Sequence, residues 1–549
     1  MKKWISRINL GMCKTILMFL PLLFAFVGYM IYYRDADVIS ALYSSLRIYL
    51  VSTDYSLEEF INYSPYDQTV MRVCFECARW LGLCVTATFI TKMLRETFIK
   101  LKVSIRARCK NSIALHGSKK YVELIKENFG SCAIVDDVPE KFRASKHILA
   151  FESDLELLKY LDANFTRFKG DGLSGQNRRG GVKPADKSVY LCMVSSPRTE
   201  YLGRGFVINN MAEDCARIYW NKLYVRRFSN SPERRVVILG FGNYGRALFK
   251  QALFVNVFPE ASMEYHIFGD SEAFQHLYDG ISRFLSIGAA SDEKDAVFFH
   301  RDLWEQNLPL LMQADRVVLA DDSDEVNIHA LSILFDLGVR NIHIRASNAK
   351  LIQELWPGIQ VLEYAMDADV CVFGTEDSLY TKEIIMDELL LETAKKIHAR
   401  YMRRVGIGKC ANCTQTSDIT LCTRTCEHFD GNWSQMNRFL QEANIAQADH
   451  MPVKVRQLLK RDCEINQASL QEYKEQYGAI RHNIAQTEPL AELEHMRWMR
   501  HLFFYGWEYA PERNNAAKKH HLLLSFEQLP ESQIPKDLDA YEAIVDIMP

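Results

Sequence analysis

The sequence carries almost no net charge: 66 lysines and arginines stand against 69 aspartates and glutamates, which leaves −3 over 549 residues. A protein dedicated to nucleic acid normally has a strongly basic domain, so this balance argues against nucleic acid as a partner. The 14 cysteines are scattered along the chain. Such scattering predicts mostly buried free thiols, whereas a disulfide framework concentrates its cysteines in a short chain.

Common catalytic motifs are also missing. The sequence contains no GxSxG nucleophile elbow and no HExxH zinc motif. No pair of residues stands out as a general acid and base. We therefore expect a protein that is not an enzyme, built from three or four domains as its length indicates.

What the chain does have is one informative stretch, RVVILGFGNYGRALFKQAL, at residues 235–253. A β-rich apolar run ends in GFGNYG and then opens into a helical pattern. In a dinucleotide-binding loop the three glycines permit a tight turn, the approach of a pyrophosphate and close packing of helix on strand. The free N–H groups of that helix then form an anion site. We therefore predict binding of NAD or another adenine nucleotide. The candidate residues are Gly240, Gly242, Tyr244 and Gly245.

Acidic residues follow two later strands of the same region. Asp270 comes just after the predicted strand EYHIF at 264–268, where it is placed to accept a hydrogen bond from a ribose. Asp321 and Asp322 end the fourth predicted strand, at the carboxyl edge that receives ligands in such sheets. The alternative is a sheet that keeps its glycines for packing and binds nothing.

The pattern of strands and helices predicts an α/β protein with membrane helices. Before the glycine stretch, the first lobe shows a similar alternation in which the glycine loop is reduced to Gly117, and Asp136 and Asp137 follow its second strand. A glycine-rich basic segment at 168–187 predicts a surface insertion. The predicted domains are a transmembrane hairpin (1–100), a degenerate Rossmann-like lobe (111–230), a Rossmann domain (231–380), a helical connector with a cysteine-rich segment (381–450) and a mainly helical module (451–549).

Two apolar segments near the start predict a membrane hairpin. Residues 15–33 contain no charge and are long enough to cross a bilayer, and residues 69–91 form a second candidate. Basic residues flank the pair, which predicts an inner-membrane, multi-pass protein with both termini in the cytoplasm. A cleaved signal peptide is the competing interpretation of the first segment. The apolar loop at 38–52 either lies in the membrane interface or re-enters the bilayer.

The second apolar segment begins with a charged stripe. Arg72, Glu76 and Arg79 are spaced four and three residues apart, so they share one helical face. Charged groups at membrane depth usually face a partner helix or water. The stripe therefore lines a hairpin interface or a pore, or else it lies in the headgroup layer.

Paired cysteines follow the helical pattern at 381–404. Cys410, Cys413, Cys422 and Cys426 have spacings that suit a tetrahedral structural zinc site. The surrounding sequence is polar and rich in threonine, so a loop excursion without metal is the alternative.

The hairpin followed by two Rossmann-like units, the second carrying GFGNYG, resembles membrane proteins with the TrkA-N/RCK regulatory domains of potassium channels and transporters. This resemblance covers residues 15–400. It implies a nucleotide-binding regulatory role in ion transport. Because one chain offers only two spans, it also implies a homo-oligomer. No TVGYG-like filter sequence is present, which departs from potassium-selective channels.

A second resemblance lies near the C-terminus, where residues 490–529 are similar to the RyR repeat domain of ryanodine receptors and bacterial proteins. The matching residues are Leu490, Ala491, Glu494, His495, Trp498, Gly506, Trp507, Tyr509, Arg513, Lys519, His520, Leu523 and Leu529. Asn444, Gln447, Ala448, Asp449 and His450 match the segment that precedes this repeat in bacterial proteins. Contacts with adenine nucleotides are what the resemblance implies.

The RyR-like module has aromatic side chains for a base and cations for a phosphate. We predict that the ligand residues are Trp507, Tyr509, Arg513, Lys519 and His520. The alternative places Trp498 and Trp507 in the core, as large aromatic residues usually are, and we expect this for Trp498.

These expectations combine into a nucleotide-sensing membrane effector or channel-like protein, whose cytosolic domains bind a small ligand and control the hairpin. One alternative is a regulatory subunit of an ion transport system that never conducts. The other is an NAD-dependent oxidoreductase, which the missing catalytic group disfavours.

Overall fold

The computed structural model describes residues 10–33, 37–50, 55–107, 112–130, 134–135, 146–164, 168, 188–195, 206–260, 263–405, 419, 423 and 427–548. The chain divides into two compact units. The first contains residues 1–109 and 138–143, and the second contains residues 110–137 and 144–549.

The first unit is helical. Its helices are α1 (Leu10–Tyr32), α2 (Val38–Arg47) and α3 (Pro65–Ala107), with short 3₁₀ helices at Ile48–Leu50 and Leu57–Asn62. Helices α1 and α3 pack through small and aromatic residues: a Cβ on Gly28 would lie only 2.8 Å from the ring of Phe75, which also packs edge-on against Tyr29.

Among the described residues, one helix is long and apolar enough to cross a membrane, namely Pro65–Arg95 within α3. The described apolar part of α1, Phe19–Tyr32, is shorter than that criterion requires. A two-span hairpin therefore stays a prediction.

The charged stripe does not lie in the contact between α1 and α3. The buried residues of α3 include Met71, Phe75 and Ala78, whereas Arg72, Glu76 and Arg79 are exposed. Glu76 and Arg79 approach each other at 3.8 Å. The hairpin-interface interpretation is wrong, because the stripe occupies a different face of the helix.

The described parts of the loop between α1 and α3 contact α3 at two levels. A Cβ on Gly82 would lie 3.3 Å from the carbonyl oxygen of Ile48, and the Thr86 hydroxyl donates to the carbonyl of Tyr49 at 3.0 Å. By Tyr55 the chain is back beside Phe75, with ring centroids 4.2 Å apart. The helix rises about 1.5 Å per residue, so the contacts at Phe75 and at Thr86 lie about 16 Å apart along α3.

In the second unit, the first lobe is a five-stranded parallel sheet. Its strands are β1 (Ile113–Gly117), β2 (Ile134–Val135), β3 (Lys146–Ala150), β4 (Ser188–Met193) and β5 (Phe206–Asn210), with helices α4 (Lys119–Phe129) and α5 (Asp154–Ala163). The strand order is 2-1-3-4-5, an order found in doubly wound folds. The sequence did not predict β5.

The second lobe is an eight-stranded parallel sheet. Its strands are β6 (Arg235–Leu239), β7 (Glu264–Phe268), β8 (Leu285–Ile287), β9 (Asp295–His300), β10 (Arg316–Leu319), β11 (Ile342–Arg345), β12 (Val361–Glu363) and β13 (Val370–Phe373). Its order is 12-13-11-10-6-7-9-8. Without the short strands β8 and β12, this reduces to 3-2-1-4-5-6, in which the order reverses between β6 and β10. The prediction of an α/β protein with parallel sheets is thus confirmed.

Helices connect and cover these strands. They are α6 (Met211–Lys222), α7 (Asn243–Val255), α8 (Glu272–Leu277), α9 (Leu308–Met312), α10 (Asp324–Asp336), α11 (Ala349–Leu355), α12 (Glu376–Leu379) and α13 (Lys382–Ile385), with 3₁₀ helices at Asp279–Arg283 and Trp304–Asn307. Strand β6 is buried from Val236 to Leu239, as a central parallel strand with helices on both faces must be.

The remaining part of the second unit is mainly helical. Its helices are α14 (Glu392–Val405), α15 (Glu427–Gln435), α16 (Arg438–Leu459), α17 (Gln467–Ile480), α18 (Ile484–Phe504) and α19 (Ile534–Ile547), with 3₁₀ helices at Leu389–Leu391, Phe526–Gln528 and Glu531–Gln533. Two short strands, β14 (Glu508–Tyr509) and β15 (Lys519–His520), pair in parallel. The prediction of one long helix at 381–404 is wrong, because Glu388 adopts a left-handed conformation with φ of 50° and interrupts it.

The helical part packs directly on the second lobe. The ring of Phe504 lies 5.0 Å from Phe254 and 4.1 Å from Tyr278. A Cβ on Gly280 would lie 1.9 Å from the carbonyl oxygen of Phe503. Helix α18 is therefore part of the same core as the glycine-loop helix α7.

Candidate functional site

The glycine loop lies at the reversal point of the second sheet. After β6, Gly240 has a φ of 92°, and a Cβ there would lie 2.5 Å from the backbone nitrogen of Asp321. A Cβ on Gly245 would lie 2.1 Å from the carbonyl oxygen of Gly240. Both glycines are thus required by close backbone packing, whether or not a ligand binds.

The position expected for a phosphate is occupied by a side chain of the protein itself. The carboxylate of Asp322 accepts hydrogen bonds from the backbone N–H of Asn243 at 3.0 Å and of Tyr244 at 3.1 Å. It also accepts from the Asn243 side-chain amide at 2.9 Å. A Cβ on Gly242 would lie 2.6 Å from this carboxylate. The dipole and free N–H groups of α7 therefore already hold an anion.

A buried asparagine fixes the turn that presents Asp322. The Asn327 side chain accepts from the Asp321 N–H at 2.9 Å and donates to the Asp321 carbonyl at 2.9 Å. It also donates to the Arg345 carbonyl at 3.0 Å, and the Arg345 guanidinium donates to the Asp322 carbonyl at 3.2 Å. The backbone of this turn is thereby held while the Asp322 side chain remains exposed.

Tyr244 forms a wall of the site. Its side chain is buried, and the Arg345 guanidinium lies 4.3 Å from its ring centre. Burial raises the pKa of Tyr244 to about 12. The ring is therefore a neutral surface packed under a cation.

Asp270 lies exposed at the end of β7. Its carboxylate accepts from the Glu272 N–H at 3.2 Å, and its carbonyl accepts from Arg246 at 3.2 Å. The Arg246 guanidinium also donates to the Phe241 carbonyl at 3.0 Å. Arg246 was missed by the sequence reasoning, although it directly follows the last glycine; it places a cation beside the expected ribose position.

The structure brings the five predicted RyR ligand residues near one another, since β14 and β15 pair Glu508 with Lys519 and Tyr509 with His520, but it buries two of the five. Trp507 is buried and stacks on Phe439 with ring centroids 5.4 Å apart. His520 is buried as well, and burial together with the nearby charge of Arg513 lowers its pKa to about 4. Lys519 pairs with Glu508. These contacts use Trp507, Lys519 and His520 for the structure of the module.

Tyr509 and Arg513 are the members of that set which remain accessible. The Tyr509 side chain is 50% exposed, and Arg513 donates to the Asn515 side chain at 2.8 Å. Trp498, expected in the core, is half-buried and packs edge-on against His520 at 5.0 Å.

Residues upstream of the module connect it to the second unit's other parts. Asp449 forms an ion pair with Arg217 at 2.8 Å and accepts from Gln251 at 2.7 Å. His450 is fully buried, and one of its ring nitrogens lies 3.0 Å from the Val257 carbonyl oxygen. These matched positions therefore hold the helical part against the lobes.

A charged cluster joins α7 to the helical part. Lys250 lies 3.3 Å from Glu213 and 3.5 Å from Glu442. Burial alone would lower the pKa of Lys250, but the two carboxylates outweigh it and hold that pKa well above its usual value. Burial would likewise raise the pKa of Glu442, yet Lys250 and Arg438 lower it to about 2. Lys250 and Glu442 are thus both charged at neutral pH.

Several predicted residues lie outside the described part of the chain. These are Cys410, Cys413, Cys422, Cys426, Asp136, Asp137 and the segment 169–187. The zinc site and the surface insertion therefore stay predictions. Among the described residues, no group of three or more histidines, cysteines and acids is arranged to hold a metal ion.

Comparisons with protein-family models, with curated proteins and with solved structures find no match to this chain. The resemblances to TrkA-N/RCK and RyR domains stay predictions from the sequence.

Proposed function

We propose that this protein is a membrane-anchored sensor of an anionic nucleotide, in which the ligand binds at the glycine loop and controls the helical hairpin in a channel-like manner. The observation that carries the proposal is the position of α7. Its N-terminus lies at the reversal point of the second sheet, and its other end packs on the helical part of the same unit.

The physical link along α7 is short. Tyr244 lies in its first turn, Lys250 contacts Glu442 of α16 at 3.5 Å, and Phe254 in its last turn packs on Phe504 of α18. A ligand that prefers one position of α7 therefore also prefers one arrangement of the helices packed against it. Such a differential preference is what a ligand needs to shift a two-state equilibrium.

An anionic ligand is favoured because the loop already recognises a carboxylate. Two backbone N–H groups and one side-chain amide converge on Asp322, and Arg246 adds a positive charge at the neighbouring strand end. Nucleotide phosphates present the same kind of acceptor oxygen. Tyr509 and Arg513 offer a separate accessible aromatic and cation in the RyR-like module.

The first unit suits a membrane in its surface chemistry. The exposed side chains of α2 include Ile39, Leu42, Tyr43 and Leu46, and those of α3 include Val73, Trp80, Leu83, Phe89 and Ile90. An exposed apolar surface of this kind marks a membrane or protein contact. The Thr86 hydroxyl satisfies the Tyr49 carbonyl, as a chain segment inside lipid requires. We therefore favour the re-entrant position for the loop over the interfacial one.

Cysteine accessibility tests this arrangement in the full-length protein. Ser56→Cys, near the return of the loop, is expected to react with a membrane-impermeant thiol reagent from the non-cytoplasmic side. Leu46→Cys is expected to stay unmodified in membranes and to react in detergent. Peptide mass spectrometry reads each site separately from the native cysteines. Labelling of Ser56→Cys only from the cytoplasm would contradict the topology, and labelling of Leu46→Cys in intact membranes would contradict re-entry.

Ligand binding is tested with purified full-length protein in detergent. Mass spectrometry of small molecules released on denaturation identifies a co-purifying nucleotide, and isothermal titration with NAD and adenine nucleotides measures affinity. Gly242→Val is expected to abolish binding, because its side chain enters the phosphate position. Gly358→Val is the matched control, since no atom lies within 4 Å of a Cβ there. Unchanged affinity in a folded Gly242→Val variant would place the ligand elsewhere.

A regulatory subunit that does not conduct is the second candidate. The exposed stripe of Arg72, Glu76 and Arg79 distinguishes the channel-like protein from the non-conducting subunit. Charges at this depth in a channel-like oligomer face water, so neutralising all three is expected to change ion flux into liposomes containing the protein. Absence of flux with and without bound nucleotide would favour the regulatory subunit.

A further inference from the structure

The carboxylate of Asp322 has an unusual combination of contacts. All three of its hydrogen bonds to the start of α7 come from Asn243 and Tyr244. Its residue is nevertheless exposed to solvent. Its backbone is held separately, through the bond from Arg345 to its carbonyl and through Asn327 on the preceding residue. The side chain can therefore leave the loop without disturbing the turn that carries it.

A ligand phosphate and this carboxylate cannot share the loop. The carboxylate oxygen lies 2.6 Å from the place of a Gly242 Cβ, which is the space that the pyrophosphate needs in a glycine loop. The same N–H groups would have to serve both anions, and like charges at such a distance repel strongly. Either the loop binds nothing, or binding displaces Asp322.

We propose that Asp322 is an internal competitor that keeps the glycine loop closed until a diphosphate-bearing ligand displaces it. The inference rests on the proposed function and deepens it, because it defines the ligand class and the regulation of the same site. The bound molecule is then an exchangeable signal and not a permanently held cofactor. The apparent affinity is lowered by the fraction of time that the carboxylate is in place.

The size of the effect follows from the contacts. Hydrogen bonds to a charged group are stronger than neutral ones, so the closed state is expected to dominate without ligand. Removing the carboxylate is therefore expected to tighten binding of the competing anion about 10- to 100-fold. It is also expected to lower the melting temperature, because α7 loses the anion at its N-terminus.

Inorganic pyrophosphate is the probe, used on detergent-solubilised full-length protein. Asp322→Ala is expected to bind pyrophosphate at least 10-fold more tightly than the natural chain by isothermal titration. Pyrophosphate is also expected to restore the melting temperature that this variant loses. Asp322→Asn keeps an acceptor oxygen without the charge. Its pyrophosphate affinity is expected to lie between that of the natural chain and that of Asp322→Ala. This variant also tests the proposal if Asp322→Ala does not fold. Asp336→Ala removes an exposed carboxylate of the same lobe and is expected to change neither quantity.

Equal pyrophosphate affinity in the natural chain and both Asp322 variants would overturn the proposal, and so would absence of binding in all of them. Tighter pyrophosphate binding in the variants without binding of any adenine nucleotide would support the competitor and reject the nucleotide of the proposed function. Tighter binding of both pyrophosphate and an adenine nucleotide in the variants would support the competitor role of Asp322 and the nucleotide of the proposed function together.

Discussion

The two lobes begin with the same local structure and use it differently. In each lobe a glycine of positive φ lies at the carboxyl end of the first strand: Gly117, the last residue of β1, has a φ of 152°, and Gly240, directly after β6, has a φ of 92°. In the second lobe the following helix binds Asp322 through its backbone N–H groups. In the first lobe the helix begins with Lys119 and Lys120, and Lys120 pairs with Glu376 of the second lobe at 2.6 Å.

In the first lobe this helix contributes to the contact between the lobes, whereas in the second lobe its N-terminus binds a carboxylate of the chain itself. Helix α4 of the first lobe also contacts the second lobe through Tyr121, whose hydroxyl donates to Glu376 at 3.2 Å and whose ring stacks on Tyr380 at 4.8 Å. Its N-terminal turn is thus used to join the lobes. The corresponding turn of α7 instead donates backbone N–H groups to Asp322, whose residue is exposed to solvent. A doubly wound sheet therefore offers an anion site in the second lobe while its counterpart serves as an interface.

The largest effect is expected from replacing the glycines that permit close backbone packing in the two lobes. A Cβ on Gly117 would lie 1.7 Å from the Ala150 carbonyl oxygen, and a Cβ on Gly245 would lie 2.1 Å from that of Gly240. Gly117→Ala and Gly245→Ala are each expected to lose about 4 kcal/mol or more of unfolding free energy, at the extreme of single substitutions. Gly358→Ala, in open space, is the control. Denaturant unfolding measures all three, and mild effects at Gly117 would show that the first lobe does not need its tight turn.

A pH test probes α6, which leads from the first lobe into the second. Burial raises the pKa of Asp214 to about 7, and the attraction of Arg217 only partly offsets this. The raised pKa means that ionisation opposes folding, so stability falls as pH rises from about 4 to about 7. Asp214→Asn is expected to remove this dependence and to be more stable above pH 7, by about 4 kcal/mol at most. Parallel melting curves of the two proteins against pH would contradict the assignment.

The inter-lobe pair gives a smaller effect. Lys120 is half exposed in its contact with Glu376, and exposed ion pairs contribute about 0–1 kcal/mol. Lys120→Ala is therefore expected to cost less than about 1 kcal/mol of unfolding free energy and to leave pyrophosphate affinity unchanged. Tyr121→Ala should cost more, since it loses a stacked ring as well. A change in pyrophosphate affinity in Lys120→Ala would show that the first lobe takes part in ligand binding.

The smallest expected change in stability is at the RyR-like module. Arg513 is exposed and its guanidinium donates to the Asn515 side chain at 2.8 Å, so Arg513→Ala is expected to alter stability by less than about 0.5 kcal/mol. If nucleotide binds there, affinity is expected to fall about 10- to 150-fold. Trp507→Ala is the contrasting variant, because loss of a buried tryptophan costs about 3–5 kcal/mol. Unchanged nucleotide affinity in Arg513→Ala would leave the glycine loop as the site.

Sequence patterns located most strands of both sheets, since buried parallel strands read as short apolar runs. Strands β5, β8 and β13 were missed, and β8 has only three residues. FVINN at 206–210 ends in two asparagines, and VCVF at 370–373 is very short. The break at Glu388 was also missed, because a left-handed residue inside an amphipathic pattern leaves no trace in hydrophobic periodicity.

At the site, residue types were predictable and their partners were not. The glycine spacing indicated the loop, and the position of Asp321 and Asp322 after the fourth strand indicated the crevice. That Asp322 would fill the loop depends on the pairing of Leu239 with Leu319 in adjacent strands. Contacts across such a distance in sequence follow from strand register, which no local pattern contains.

The amino-acid sequence by itself determined the apolar strands, the glycines that only a tight backbone approach requires, and the apolar segments that suit a membrane. These are local properties of composition and period. The tertiary structure decided which anion the loop holds and buried Trp507 and His520 under neighbouring helices. It also turned the stripe of Arg72, Glu76 and Arg79 away from α1. Each of these depends on packing between distant segments, because burial and charge pairing are set by neighbours in space.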